Sequence, residues 1–229
     1  MLNRGMVVAT GIKGFDDLIE GGLPRGSVVN VTGPTGSGKT VFSVQFLYKG
    51  ITDQDEPGLY VSFAERKRFL FRDFARFGWN LAELEARKKF VFIEFPIHEA
   101  KQFIAQEGAL FNMIVDLGIE RLVIDPVTPL ALIEEEEQKR YQSMLALINT
   151  LRSWGTTTLL VSEPEKIRPI GLVPLVDGII ELAREKRATY RIPTLEVLKM
   201  HGVSFTQKEC PFKIGKDGMT VYPHQHLYE

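Results

Sequence analysis

The chain has 229 residues, 44% of them apolar and 25% charged, with a formal net charge of −1 and one cysteine. This composition supports an ordinary globular core, so disorder is not the default expectation. It carries no chain-wide basic excess that would advertise nucleic acid, and the lone Cys210 excludes an internal disulfide. The N-terminal stretch "MLNRGMVVATGIKGF" lacks the apolar run of a signal peptide, and no segment approaches the roughly 20 apolar residues of a membrane span. The expectation is a cytoplasmic protein without membrane attachment.

In chain order, strands and helices alternate. "SVVNVTG" (27–33) reads as a buried strand, and 39–49 as a helix with Phe42, Phe46 and Leu47 on one face. "GLYVSFA" (58–64) is a second strand, followed by helical "RFLFRDFARFGW" and "NLAELEARK". "KFVFIEF" (89–95) is a third strand, and one helix is expected over 99–118. "RLVID" (121–125) and "TTTLLVSE" (156–163) are the fourth and fifth strands, separated by a helix over 134–155. Continuous Val/Ile/Leu runs between helices indicate strands covered on both faces, hence a mostly parallel, twisted sheet in an α/β fold. After Glu163 the rhythm changes. "PEKIRPIGLVP" (164–174) reads as a loop, and "DGIIELARE", "YRIPTLEVLKMHG" and "FKIGKDGMTVYP" read as an antiparallel extension with a hairpin at "KDG". The whole chain is expected to form one domain, with a core over about 10–185 and a C-terminal β-extension over about 186–223.

The strongest chemical signal is "NVTGPTGSGKT" (30–40), in which Gly33, Gly38, Lys39 and Thr40 fit G-x-x-x-x-G-K-[ST] between a strand and a helix. A polyphosphate needs backbone N–H groups converging on it. Glycines let the chain curl into such a nest, and the helix N-terminus adds positive potential. The segment Gly33, Pro34, Thr35, Gly36, Ser37, Gly38, Lys39, Thr40 and Val41 is therefore the expected nucleotide cradle. Lys39 would reach the β- and γ-phosphates and Thr40 would hold Mg²⁺. Asp125, ending the apolar run "LVID" at the carboxyl end of a parallel strand, is the expected second metal-side group.

These segments, together with "TGIKGFDDLIEGGLPRGS", "QFLYKG", "YVSF", "FGWNL", "LEVLKMHG" and "PFKIGKDGMTVYP", resemble the single-domain archaeal and bacterial relatives of the circadian-clock ATPase KaiC, within the RecA/RadA group. The likeness covers nearly the whole chain. It implies a RecA-like P-loop NTPase core, ATP with Mg²⁺, and a homo-oligomer, often a hexameric ring, with nucleotide at the subunit interface. In that pattern Ser162 falls where a polar residue senses the γ-phosphate; an ordinary exposed serine is the competing reading. Lys199 falls where a lysine reaches the neighbouring subunit's nucleotide; a plain strand with Lys199 and His201 on a wet edge is its competitor.

Two departures bear on catalysis. The family strand ends in two adjacent glutamates, the first of which activates water; here that position is Ala64, leaving Glu65 alone. A methyl group cannot orient or deprotonate water, and strand alternation would point Glu65 to the other face. The family's arginine two residues after the lysine is His201 here, mostly neutral at pH 7 and without a guanidinium fork. The expectation is an ATP-binding protein whose hydrolysis is weak or assembly-dependent, with Lys39 and Glu65 as the catalytic candidates. The alternatives are a nucleotide-gated binding module with vestigial hydrolysis and a recombinase-like ATPase that contacts DNA through the 164–174 loop.

Other features read more simply. The acidic run 134–137 suits a helix N-terminus. Phe69, Phe71, Phe74 and Phe77, interleaved with Arg66, Lys67, Arg68 and Arg72, are expected to pack on the sheet behind a basic surface, with nucleic-acid binding the weaker reading. His224 and His226 lack a third ligand and read as a tail.

Overall fold

A computed structural model describes residues 5–164, 171–186 and 191–225. Strands β1 (Val7–Val8) and β2 (Leu23–Pro24) form a short antiparallel ribbon around a 3₁₀ turn at Asp16–Ile19. There follow β3 (Val28–Thr32), α1 (Lys39–Gln54), β4 (Gly58–Ser62), α2 (Lys67–Ala75), α3 (Leu81–Ala86) and β5 (Phe90–Glu94). Next come α4 (Ala100–Ala105), α5 (Glu107–Leu117), β6 (Arg121–Asp125), α6 (Thr128–Ala131), α7 (Glu137–Ser153) and β7 (Thr157–Ser162). The described chain closes with β8 (Gly178–Lys186), β9 (Arg191–Met200), β10 (Cys210–Gly215) and β11 (Gly218–Val221).

One sheet runs in the order β11-β10-β9-β8-β3-β7-β6-β4-β5. From β5 to β8 every pairing is parallel, and from β8 to β11 every pairing is antiparallel. β8, expected in the antiparallel extension, therefore belongs to the parallel core through β3 and hands over to antiparallel pairing only at β9. The β10–β11 hairpin turns at Lys216–Asp217, between the paired Gly215 and Gly218, where the sequence placed it.

Every residue of β3, β4, β6 and β7 is buried, as strands covered on both faces must be. Alternate residues divide between two cores. Val29, Val31, Tyr60, Val123, Leu159 and Val161 face one side with Phe42, Phe46 and Leu47 of α1. Leu59, Val61, Leu122, Ile124 and Leu160 face the other with residues of α4 to α7. The helix expected over 99–118 is interrupted at Gln106, whose ψ of 11° leaves the helical region and separates α4 from α5. The α7 helix starts at Glu137, and Arg140 folds back onto the carbonyls of Glu134 and Glu135. Of the α2 aromatics, Phe74 is buried and Phe71 packs against the core, as does Phe77 just past the helix end. Phe69 instead is only half-buried and lies between Arg68 and Arg72, 4.5 and 5.2 Å from its ring centre.

A buried ion network ties α1 to the start of β6. Arg121 is fully buried, and its guanidinium donates to Glu56 Oε2 (2.7 Å) and to the carbonyl of Phe46 (2.8 Å). Arg25 donates to Glu56 Oε1 (2.7 Å) and to Glu120 (2.8 Å). Gly50 makes room for this: a Cβ there would lie 2.2 Å from Arg121 Nε. Burial pushes Glu56 up, but Arg25 and Arg121 outweigh it and hold the carboxyl below its ordinary range.

Candidate functional site

The parallel strands end together on one edge, and in open α/β sheets that edge is where ligands bind. β3 carries the chain to Gly33, the 34–38 segment curls, and α1 starts at Lys39 with Gly38 (φ 102°) just before it. The curl has no room for a side chain at its first residue. A Cβ on Gly33 would lie 2.2 Å from the carbonyl oxygen of Leu182 on β8. Lys39 Nζ donates to the carbonyls of Gly33 (2.7 Å) and Pro34 (3.0 Å), so its ammonium sits at the mouth of the loop. The loop is fastened to its neighbours: Thr35 Oγ1 donates to Glu163 Oε1 (2.8 Å) past the end of β7, and Arg184 of β8 donates to the carbonyl of Gly36.

Behind the loop, Thr40 Oγ1 donates to Asp125 Oδ2 (3.2 Å), and the Tyr60 hydroxyl donates to the same oxygen (2.6 Å). Asp125 is nine-tenths buried, and burial pushes its carboxyl up; the Tyr60 and Thr40 hydroxyls and Lys39 offset part of that, while Glu65 adds to it. Burial, followed by the Asp125 charge, pushes the Tyr60 phenol well up, so it is a donor at any ordinary pH. Ser162 is fully buried rather than exposed, and its hydroxyl donates to Asn30 Oδ1 (2.8 Å) across the β3–β7 pair.

Lys39, Thr40, Ala64, Glu65, Asp125 and Ser162 all line one cleft of about 610 Å³. The position of Glu65 differs from the expectation. β4 ends at Ser62, whose hydroxyl accepts from the Glu65 N–H (2.9 Å) and donates to the Glu65 carbonyl (2.8 Å). Strand alternation therefore stops before Ala64, and both Ala64 and Glu65 are exposed on the cleft wall. Lys199 and His201 lie elsewhere. Lys199 Nζ donates to the carbonyls of Val176 (2.7 Å) and Val173 (3.2 Å), and the exposed His201 follows at the end of β9. Burial holds the Lys199 ammonium below its ordinary value, with Asp177 opposing.

The residues present suit a phosphate with Mg²⁺. Thr40 and Asp125 offer hard oxygen donors 3.2 Å apart, the chemistry Mg²⁺ selects. The Ser37 hydroxyl, 2% exposed inside the curl, finds no hydrogen-bond partner among the described residues. Among those residues no group of three or more His, Cys, Asp or Glu could hold a metal unaided, so an ion here would also use phosphate and water oxygens. Sequence reasoning passed over Tyr60, Asn30 and Arg184. The first two were visible as the polar-tipped residues inside apolar runs, "GLYVS" and "VVNVT".

The profile of the KaiC ATPase family matches residues 8–226. The chain belongs to the KaiC ATPase family. The circadian clock oscillator protein KaiC of Prochlorococcus marinus strain MIT 9313 is 34% identical over 93% of this chain and 45% of its own length. A UPF0273 protein of Methanocaldococcus jannaschii is 31% identical over 96% of this chain and 98% of its own. The crystal structure of a KaiC-like protein from the hyperthermophilic archaeon Pyrococcus horikoshii matches with a TM-score of 0.85 and 36% identity, covering 95% of this chain and 99% of that one. The chain spans less than half the length of the clock proteins and nearly the full length of the two archaeal ones. Membership in the KaiC family implies ATP binding on a RecA-like P-loop fold. No described helix is long and apolar enough to cross a membrane.

Proposed function

We propose that this chain is a Mg²⁺-dependent ATP-binding protein that hydrolyses ATP weakly, or efficiently only when assembled, and that residues 1–229 act as one KaiC-like unit. The observation that carries this reading is the meeting of Lys39, Thr40 and Asp125 in one cleft with Ala64 on its wall. The loop N–H groups and Lys39 bind the β- and γ-phosphates, Lys39 exchanging its present carbonyl partners for phosphate oxygens. Thr40 and Asp125 hold the metal side. Mg²⁺, when bound, would supply charge neutralisation for the β- and γ-phosphate oxygens. Ser162, on the cleft wall and hydrogen-bonded to Asn30, is assigned to sensing the γ-phosphate. Glu65 is the one glutamate at the end of β4 and orients water poorly from a turn one residue past the family position.

Lys199 and His201, neither of which lines its own cleft, act across the interface of a homo-oligomer such as a hexameric ring. His201, lacking a guanidinium fork, gives up most of what an arginine finger supplies, about 10³–10⁵ in rate. One observation favours nucleotide gating as a second reading. The phosphate loop is tied to Glu163 and to Arg184, so a change in the loop is felt directly at the ends of β7 and β8. The DNA reading falls on a loop whose residues 165–170 lie outside the described residues, and His226 of the tail does too.

The deciding experiment is Mg²⁺-dependent phosphate release at high protein concentration, with and without single-stranded DNA, beside Lys39→Ala. Slow release above the Lys39→Ala baseline is expected, without DNA stimulation. Release equal to that baseline despite tight ATP binding would leave the gated module, and steep DNA stimulation would favour the recombinase reading.

A further inference from the structure

Tyr60 has no place in the phosphate-loop chemistry just described, yet its hydroxyl makes the shortest hydrogen bond to Asp125, 2.6 Å against 3.2 Å from Thr40. The register explains the reach. β4 and β6 pair in parallel with Ser62 opposite Asp125 and Tyr60 opposite Val123. Tyr60 thus sits two residues back along the strand, on the face that Ser62 and Asp125 share, an offset of about 6.6 Å. A tyrosine side chain is long enough to cover that offset and arrive at the carboxylate with its hydroxyl; no shorter polar residue is.

The ring cannot swing away. It is fully buried and stacks on Phe92 of β5, centroids 5.5 Å apart and planes within 10°. Phe92 is the register partner of Tyr60 on the opposite side from β6. The phenol, Thr40 and Asp125 therefore form a line from the outer strand pair to the first turn of α1. One oxygen of Asp125 accepts from both hydroxyls, which fixes the rotation of a carboxylate that lines the cleft.

We propose that Tyr60 is a positioning residue that sets the orientation of the Asp125 carboxylate and so the strength with which this site couples nucleotide to Mg²⁺. The inference rests on the assignment of Asp125 and Thr40 to the metal side. Groups that hold metal-side carboxylates in place are typically worth about 10- to 100-fold in metal affinity or activity. Tyr60 would act through one bond of two on a single oxygen, at the lower end of that range.

The test is a binding cycle, independent of turnover. The affinity of the protein for ATP is measured by calorimetry in Mg²⁺ and again in EDTA, for the wild type and for Tyr60→Phe, which keeps the ring and its stack on Phe92. The ratio of the two affinities is the Mg²⁺ linkage. Tyr60→Phe is expected to lower that ratio about 10-fold while leaving the EDTA affinity unchanged. The EDTA arm reports whether the fold and phosphate loop are intact, and a purely structural role for Tyr60 would lower both affinities together. An unchanged ratio with unchanged EDTA affinity overturns the inference, as does an equal fall in both. A wild-type protein that binds ATP equally well with and without Mg²⁺ instead overturns the metal-side assignment on which the inference rests. Thr40→Val and Asp125→Asn, measured in the same cycle, show how much linkage the site has to lose.

Discussion

Installing a carboxylate at Ala64 should raise turnover, because Ala64 and Glu65 both lie on the cleft wall past the end of β4. The turn that carries them is fixed by the two hydrogen bonds between Ser62 and Glu65, so a glutamate at 64 starts from an anchored backbone. Ala64 is exposed, and an exposed substitution of this kind costs within about 0.5 kcal/mol of stability. A positioned general base contributes about 10²–10⁴ in rate. With His201 still in place of arginine the lower limit applies, about 10²-fold, which corresponds to ~2.7 kcal/mol of barrier at 1.36 kcal/mol per decade. The added charge stands beside Glu65 and near Asp125, so ATP affinity should fall even as the rate rises. The assay is therefore single-turnover phosphate release with every site filled, using Mg²⁺-ATP concentrations set by a separate binding titration, and with Lys39→Ala/Ala64→Glu as the background control. An unchanged rate in an ATP-saturated, folded Ala64→Glu protein would refute the assignment of Ala64 as the missing base position.

His201→Arg should act only in trans: no gain at dilutions where the protein is monomeric, and a gain at concentrations where it assembles, read by phosphate release beside light scattering. Gain at high dilution would mean that His201 reaches its own cleft. Glu56→Ala should destabilise the fold by about 3–5 kcal/mol, because it leaves the fully buried Arg121 without its carboxylate, and chemical denaturation measures this. The same pair sets an acid limit. The folded-state pKa of Glu56 lies below its ordinary 4.5, so its contribution is present above that value and is lost as pH falls through the depressed one. Glu56→Gln should flatten that acid branch of the stability profile, and an unaltered branch would assign it to other carboxylates.

The fold was legible where the physics is local. Apolar runs bounded by turn residues marked the parallel strands, and the glycine spacing with its flanking strand and helix marked the cradle. What sequence pattern could not supply depends on where elements stop. "YVSFAE" continues to alternate on paper, but Ser62 ends the strand with its own side chain, and that places Glu65 on the cleft wall instead of the opposite face. β8 looked like its antiparallel successors because the side-chain pattern of a strand says nothing about the direction of its neighbour. Tyr60 stood out only as a polar-tipped residue in an apolar run; that its hydroxyl reaches Asp125 depends on a two-residue register offset between β4 and β6, which only the paired sheet reveals. The break at Gln106 precedes Gly108 by two residues, and a lone glycine that itself sits inside α5 does not mark where the helix stops.

The central claim is that the 33–40 loop, with Lys39 at its mouth, holds the phosphates of ATP. Equilibrium binding of ATP in Mg²⁺ to the wild type and to Lys39→Ala tests it most directly. A charge-assisted hydrogen bond of this type is worth about 1.5–3 kcal/mol, so Lys39→Ala should weaken ATP about 10- to 150-fold. Equal affinity of the two proteins for ATP would contradict the account.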